Sequence, residues 1–224
     1  MAVGYNPRIV TDGLVLALDA GNTKSYPGSG TTWYDLSGKG NNGTFVNMGS
    51  SNLDSANGGS LTFDGTDEYI TLASQVLFNI TGSAFSVWFT VGIDFSSNYG
   101  GRGIILGSSV GTKYNRLFAI SGRNGLQGET NTNEEYYLTG LTIYNGWNNV
   151  QVSFENSVAK TYLNGVLGQT SSTLTNDLTL DQISSSASDA NYQGKIAQVS
   201  MYNRALTASE IQQNFNALRG RFGI

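Results

Sequence analysis

Alternation of apolar and polar positions is clearest at residues 85–93, where Phe85, Val87, Phe89, Val91 and Ile93 recur at every second place with Ser86, Trp88, Thr90 and Gly92 between them. Period two is the signature of a strand that turns one face to a core. Val15 to Asp19 is almost continuously apolar instead, which predicts a central strand covered on both faces. Further short strands are expected at Leu61–Gly65, Tyr69–Leu72, Gly103–Leu106, Leu117–Ser121, Val150–Phe154, Ala159–Leu163, Val166–Thr170, Leu178–Ile183 and Ile196–Tyr202. Gly21 to Gly59, rich in Gly, Asn and Ser, reads as one long loop with ordered islands at Trp33–Gly38 and Thr44–Val46. Asn164-Gly165 between two apolar stretches predicts a two-residue hairpin, because both central positions of a type I′ turn need positive φ.

The final segment alone has helical spacing. Thr207 is placed as N-cap, Glu210 completes a capping box, and Leu206 and Ile211 stand as a hydrophobic staple. Ile211, Phe215 and Leu218 share one face, which is expected to close an edge of the domain, and Gly220 is placed to end the helix. Many strands and one terminal helix predict a single all-β domain, a two-sheet antiparallel sandwich with one short C-terminal helix. Residues 1–13 read as an N-terminal arm and 14–224 as the sandwich.

Composition narrows the chemistry. Charged residues are 12% of the 224, glycine numbers 29 and the net charge is −4, so no basic field exists for nucleic acid or an anionic membrane. The chain has no cysteine and no histidine, which removes disulfides, thiolate metal sites and the commonest general base. The amino terminus shows no pattern of a secretory signal.

Several segments resemble the laminin-G-like jelly rolls of the concanavalin A-like lectin and glucanase superfamily. They are Asp35-Leu36-Ser37-Gly38-Lys39-Gly40-Asn41-Asn42-Gly43, Phe63-Asp64-Gly65, Gly146-Trp147 through Phe154 with Tyr162-Leu163-Asn164-Gly165, and Gly194 through Thr207. The resemblance implies a jelly roll and admits lectins, glycosidases, adhesion modules and structural domains alike. The opening, an Asn-Pro arm followed by Gly13-Leu14-Val15-Leu16-Ala17-Leu18-Asp19-Ala20-Gly21-Asn22, also resembles stand-alone structural proteins of tailed bacteriophages. That likeness implies a non-enzymatic virion component, such as a capsid decoration, head-fibre or tail-associated protein, assembled in the host cytoplasm and carried on the extracellular particle. Its expected partners are other virion proteins, a host-surface glycan and further copies of itself, with nucleic acid and membrane excluded. A soluble carbohydrate-binding lectin and a glycoside hydrolase or lyase are the alternatives.

A glycosidase needs two carboxylates at a controlled separation, and none is evident. Glu129 is isolated in the sequence, Glu134 and Glu135 are adjacent, and Asp64 and Asp67 straddle a turn. Oxygen donors on glycine-rich loops suit calcium, which gives Asp19, Asn22, Asp35, Asn41, Asp64 and Asp67 as candidate ligands, against the simpler role of bonding their own turns. Trp33 with Tyr34 is the candidate sugar-stacking pair, with Tyr99, Tyr114, Tyr136 and Tyr137 as further contact residues.

Overall fold

A computed structural model describes residues 8–91, 102–109, 116–120, 125–129, 135–138, 146–185 and 192–224. Elements are numbered in chain order. Sheet A runs β14 (Val166–Thr170), β13 (Val158–Leu163), β12 (Trp147–Glu155), β7 (Gly82–Val91), β16 (Gln193–Tyr202), β5 (Ser60–Asp64), β4 (Leu53–Asp54). An eighth strand, β1 (Leu14–Asp19), pairs with the Gln198–Tyr202 half of β16, while β5 pairs with its Gln193–Ile196 half. Sheet B runs β11 (Glu135–Leu138), β10 (Gly125–Glu129), β9 (Arg116–Ile120), β8 (Arg102–Gly107), β15 (Leu178–Ile183), β6 (Tyr69–Phe78), β3 (Gly43–Val46), β2 (Thr32–Trp33). All of these pairings are antiparallel, and α1 (Ala208–Phe222) is the one α-helix among the described residues. The expected all-β jelly-roll sandwich is therefore the observed architecture.

The core forms where the two sheets face each other. Phe85, Val87 and Phe89 of β7, Val150, Val152 and Phe154 of β12, and Ile70, Phe78 and Leu180 of sheet B are buried in one cluster. The intervening positions of β7 and β12 point to the other side of sheet A, and there α1 covers them. Trp88 is fully buried, its ring 4.4 Å from Phe222 and 5.7 Å from Phe215, while Trp147 lies 4.5 Å from Phe222. Beneath the same helix the sheet is polar: Gln151 Nε2 donates to the Ile211 carbonyl and Ser153 Oγ to the Leu206 carbonyl. Such bonds satisfy groups that burial would otherwise penalise.

The helix start matches its sequence expectation. Thr207 N–H donates to Glu210 Oε2 at 2.9 Å, and the Glu210 N–H returns to Thr207 Oγ1 at 3.3 Å. Its other end is a correction. Gly220 lies inside α1, and Gly223, with φ 72°, provides the left-handed cap. The helix also covers a face of sheet A rather than an edge of the sandwich, with Ile211 and Phe215 buried but Leu218 only half-buried.

Three further expectations change. β1 has a single strand partner, so it is not central, although Leu16 and Leu18 reach the core. The Gly21–Gly59 loop contains β3 and the edge strands β2 and β4. The segment after Arg8 does not leave the domain: Val10 is buried, its N–H donates to Asn214 Oδ1 at 2.8 Å, and Tyr202 Oη donates to its carbonyl. Burial raises the Tyr202 phenol pKa, which keeps that donor protonated.

Two predictions arise here. The Asn164-Gly165 hairpin has φ of 51° and 78°, as expected, and a Cβ on Gly165 meets Phe215 Cδ1 at 2.9 Å. Gly165→Ala is expected to cost about 1–2 kcal/mol in a urea titration, since both backbone and neighbour resist it. A loss below about 0.5 kcal/mol would show that the hairpin adapts.

The second concerns acid. Arg204 Nη2 lies 2.6 Å from Glu210 Oε1 and its Nε 2.7 Å from Asp12, fastening the chain start to the helix start. Hydrogen bonding from Arg204 holds the Glu210 pKa down from 4.5 to about 2. A depressed carboxylate pKa contributes stability that is fully present above 4.5 and lost as pH falls towards about 2. The melting temperature should therefore drop across that window, and Glu210→Gln should make the drop smaller; equal pH profiles would exclude the pair as a cause.

Candidate functional site

The side chains singled out from the sequence are mostly occupied by their own loops. Asp35 Oδ1 accepts from the N–H of Ala17 and of Ser37, at 2.9 and 2.8 Å, and its Oδ2 from Ser37 Oγ and the Asn41 N–H. Asn41 Nδ2 donates to the Val15 carbonyl. This carboxylate staples the glycine-rich loop to β1. Asp19 Oδ1 accepts from the Gly21 N–H and from Arg221, Asn22 Oδ1 from the Lys24 N–H, Asp64 Oδ1 from the Thr66 N–H, and Asp67 Oδ2 from Asn47.

The oxygens expected to hold calcium are thus used within their own loops. No group of three or more acidic, histidine or cysteine side chains poised for a metal occurs among the described residues. The candidates instead divide among the β1 end, the 35–42 loop and the β5–β6 turn, where Asx-type bonds use their oxygens. Melting curves in chelator and in millimolar calcium are expected to coincide. A bound ion would stabilise by about 2.7 kcal/mol at one hundred times its dissociation constant, so a rise of several degrees on adding calcium would reveal a cage.

Trp33 is also corrected as a sugar-stacking residue. Its ring is 0% exposed and belongs to the core cluster, so it has no face to offer. Tyr34 beside it is 46% exposed. Tyr99 and Tyr114 lie outside the described residues; Tyr136 and Tyr137 are on β11, with side chains outside them. Glu129 is not isolated in the fold: it stands in register opposite Glu135 of β11 and Arg116 of β9. Arg116 is buried.

What the fold builds is a cleft of about 340 Å³ on the outer side of sheet A. One wall is β1 with Gln198 of β16, the other is α1 at Ala217 and Leu218, and Leu36 and the Arg8–Thr11 segment frame its mouth. Each wall is held in place. The Asp35 staple positions Leu36, whose N–H donates to the Ala17 carbonyl at 2.8 Å. Arg221 ties the end of α1 to β1 through Asp19 at 2.7 Å and to the Asn57 carbonyl at 2.8 Å. Gln213 Nε2 donates to the Arg8 carbonyl, bringing the chain start to the helix.

The cleft is largely apolar, with a few polar groups, in the size range of ligand sites. Leu14, Ala17, Leu36 and Leu218 supply apolar surface, while Arg8 and Asn22 are exposed at the rim. Gln198 is its deepest polar group, 4% exposed, in register between Asp19 and Trp88, and its Oε1 accepts no hydrogen bond. Sequence reading passed over Gln198 because a polar residue alternating with Val199 and Met201 reads as solvent-facing. The signal that it is covered lies far away, in the aromatic positions Phe215 and Phe222 of α1.

A family model of the concanavalin A-like lectin/glucanases superfamily matches residues 64–212, well over half of the chain. The chain belongs to that superfamily. Among solved structures, the botulinum neurotoxin serotype D ligand binding domain, determined with N-acetylneuraminic acid, superposes on this superfamily member with a TM-score of 0.67 at 16% identity, covering 92% of this chain and 51% of that one. Domain 4 of the extracellular arabinanase AbnA from Geobacillus stearothermophilus, determined with arabinotriose, gives 0.63 at 17% identity over 90% and 97%. Trypanosoma rangeli sialidase gives 0.63 at 16% identity over 93% and 33%. At these identities the likeness is one of fold. The chain spans about half the length of the toxin domain and a third of the sialidase. No curated protein matches the sequence significantly.

Proposed function

We propose that this chain is a non-enzymatic carbohydrate-binding domain whose contact surface is the cleft beneath α1. The reading is carried by that preformed, largely apolar cleft, with Arg8 and Asn22 exposed at its rim. A preformed cleft of this kind suits a sugar, which offers hydroxyl or amide donors on an apolar ring. Two fold neighbours determined with a sugar, N-acetylneuraminic acid in one and arabinotriose in the other, support the same class.

We further propose that the domain is displayed on a tailed-phage particle, in line with its phage-like opening sequence, with other virion proteins as neighbours. Display in several copies raises avidity when single sites are weak.

A glycan array with the purified chain tests the binding reading: a blank array rejects it. Proteomics of purified particles tests the second reading, and absence from the particle rejects it. The register of Glu129 opposite Glu135 defines the control against catalysis. Reducing-sugar release from polysaccharides, abolished by Glu129→Gln, would replace the binding reading with a glycosidase.

A further inference from the structure

We propose that Asn57 is a site of self-modification: its side-chain amide is lost to the backbone nitrogen of Gly58, and the product releases the grip of Arg221 that ties the end of α1 to the Asn57–Gly59 segment. The proposal is independent of the carbohydrate-binding reading above. Asn57 is exposed and lies within a single 3₁₀ turn, Ala56–Gly58, where its backbone is left-handed with φ 50° and ψ 36°. Such short turns have poor hydrogen-bond geometry and open readily. Gly58 and Gly59 follow with φ of 74° and 112°, so two residues without side chains let the local backbone rotate.

The chemistry needs only water. The deprotonated Gly58 nitrogen attacks Asn57 Cγ, the bond from Cγ to Nδ2 breaks, and ammonia leaves behind a five-membered succinimide. Water then adds at one of the two ring carbonyls, and the C–N bond there opens. Opening at Cγ gives an aspartate, and opening at the backbone carbonyl gives an isoaspartate whose main chain is one methylene longer. No oxidant or reductant takes part.

Tertiary structure picks this pair out from its equivalents. Asn42-Gly43 and Asn164-Gly165 are the other Asn-Gly pairs with both residues described, while Asn124 and Asn145, which also precede glycine, lie outside the described residues. Asn42 Oδ1 accepts from the Asp35 N–H at 2.9 Å, and Gly43 is buried in β3. Asn164 Oδ1 accepts from the Asn149 N–H at 2.7 Å. The Asn57 side chain makes no hydrogen bond among the described residues.

Its restraint is at the backbone. Arg221 Nε donates to the Asn57 carbonyl at 2.8 Å, and Nη2 of the same guanidinium donates to the Gly59 carbonyl. An added methylene moves these two carbonyls relative to each other, and a planar fork of fixed geometry then cannot meet both. The last turn of α1 is thereby loosened, together with the wall at Ala217 and Leu218.

The test is to hold the full chain at mildly alkaline pH and follow each Asn-Gly pair by peptide mapping with mass spectrometry and isoaspartate labelling. Asn57 is expected to convert about tenfold faster than Asn42 or Asn164, because no side-chain hydrogen bond has to break first. The converted chain should show shifted amide resonances at Ala217 and Leu218 and melt about 2–4 °C lower. Asn57→Gly suits the left-handed backbone and has no amide to lose, so it should keep its spectrum and melting temperature through the same incubation. Arg221→Ala should speed conversion at Asn57 alone by freeing the backbone. If that chain fails to fold, Arg221→Lys removes the fork and keeps the charge.

Conversion of Asn42 or Asn164 as fast as Asn57 would overturn the assignment, and so would an unchanged rate in the Arg221 variants. An isoaspartate at this position that leaves the Ala217 and Leu218 amides and the melting temperature unmoved would overturn the release of α1. The same drift in Asn57→Gly would do so as well.

Discussion

Replacing Trp88 with alanine is expected to cost about 3–5 kcal/mol, the range for deleting a large buried aromatic. The indole is 0% exposed on the outer side of sheet A, stacked on Phe222 at 4.4 Å and on Phe215 at 5.7 Å. Its removal leaves a cavity under α1 that Asn149 and Gln198, its register neighbours, are too polar to fill. The wall of the cleft formed by Ala217 and Leu218 depends on that docking, so the proposed sugar binding should weaken together with stability. Guanidinium titration of the wild type and of Trp88→Ala measures the loss. A change below about 1 kcal/mol would mean that α1 does not pack on this ring.

Trp33→Ala is expected to lose a similar amount, about 3–5 kcal/mol, but without a selective effect on ligand binding. Trp33 lies in the core between the sheets with its Nε1–H unpartnered, a donor that costs about 1–3 kcal/mol to bury. Trp33→Phe should consequently be far milder than Trp33→Ala, because lost volume is offset by removal of that donor. Affinity for any glycan found on the array should stay at the wild-type value for Trp33→Phe. A large drop in affinity with unchanged stability would instead place this ring at the binding surface and contradict its burial.

Strand periodicity was legible wherever a strand keeps one face in the core, as at β7, where Phe85, Val87 and Phe89 are the inner residues. Capping and turn chemistry were equally legible, because Thr207 with Glu210 and Asn164 with Gly165 act over a few residues. The lateral order of strands was not. β1 looked central because both its faces are covered, yet its free edge is closed by the Asp35–Leu36 loop rather than by a strand. Apolar content reports burial and is silent about which neighbour donates the hydrogen bonds. The strands β10 and β11 also escaped notice, being short and mixed in polarity, Gly125–Glu129 and Glu135–Leu138.

The helix shows where local rules yield to tertiary contacts. Gly220 looked like a stop, since glycine costs about 1 kcal/mol inside a helix. Continuing to Phe222 lets that ring pack on Trp88 and Trp147, a gain larger than the propensity cost.

By itself the sequence determined the fold class, the antiparallel sandwich with its terminal helix, and the exclusion of cysteine, histidine and basic-patch chemistry. These depend on composition and on patterns that repeat within a few residues. Only the tertiary structure decided that Trp33 is core, that the loop acids hold their own turns, and that Gln198 is buried beside a cleft. Each of those depends on which distant segment covers a side chain: α1 closes over β16 from Ala208 onwards, and whether a polar group meets water or protein is set by that long-range packing.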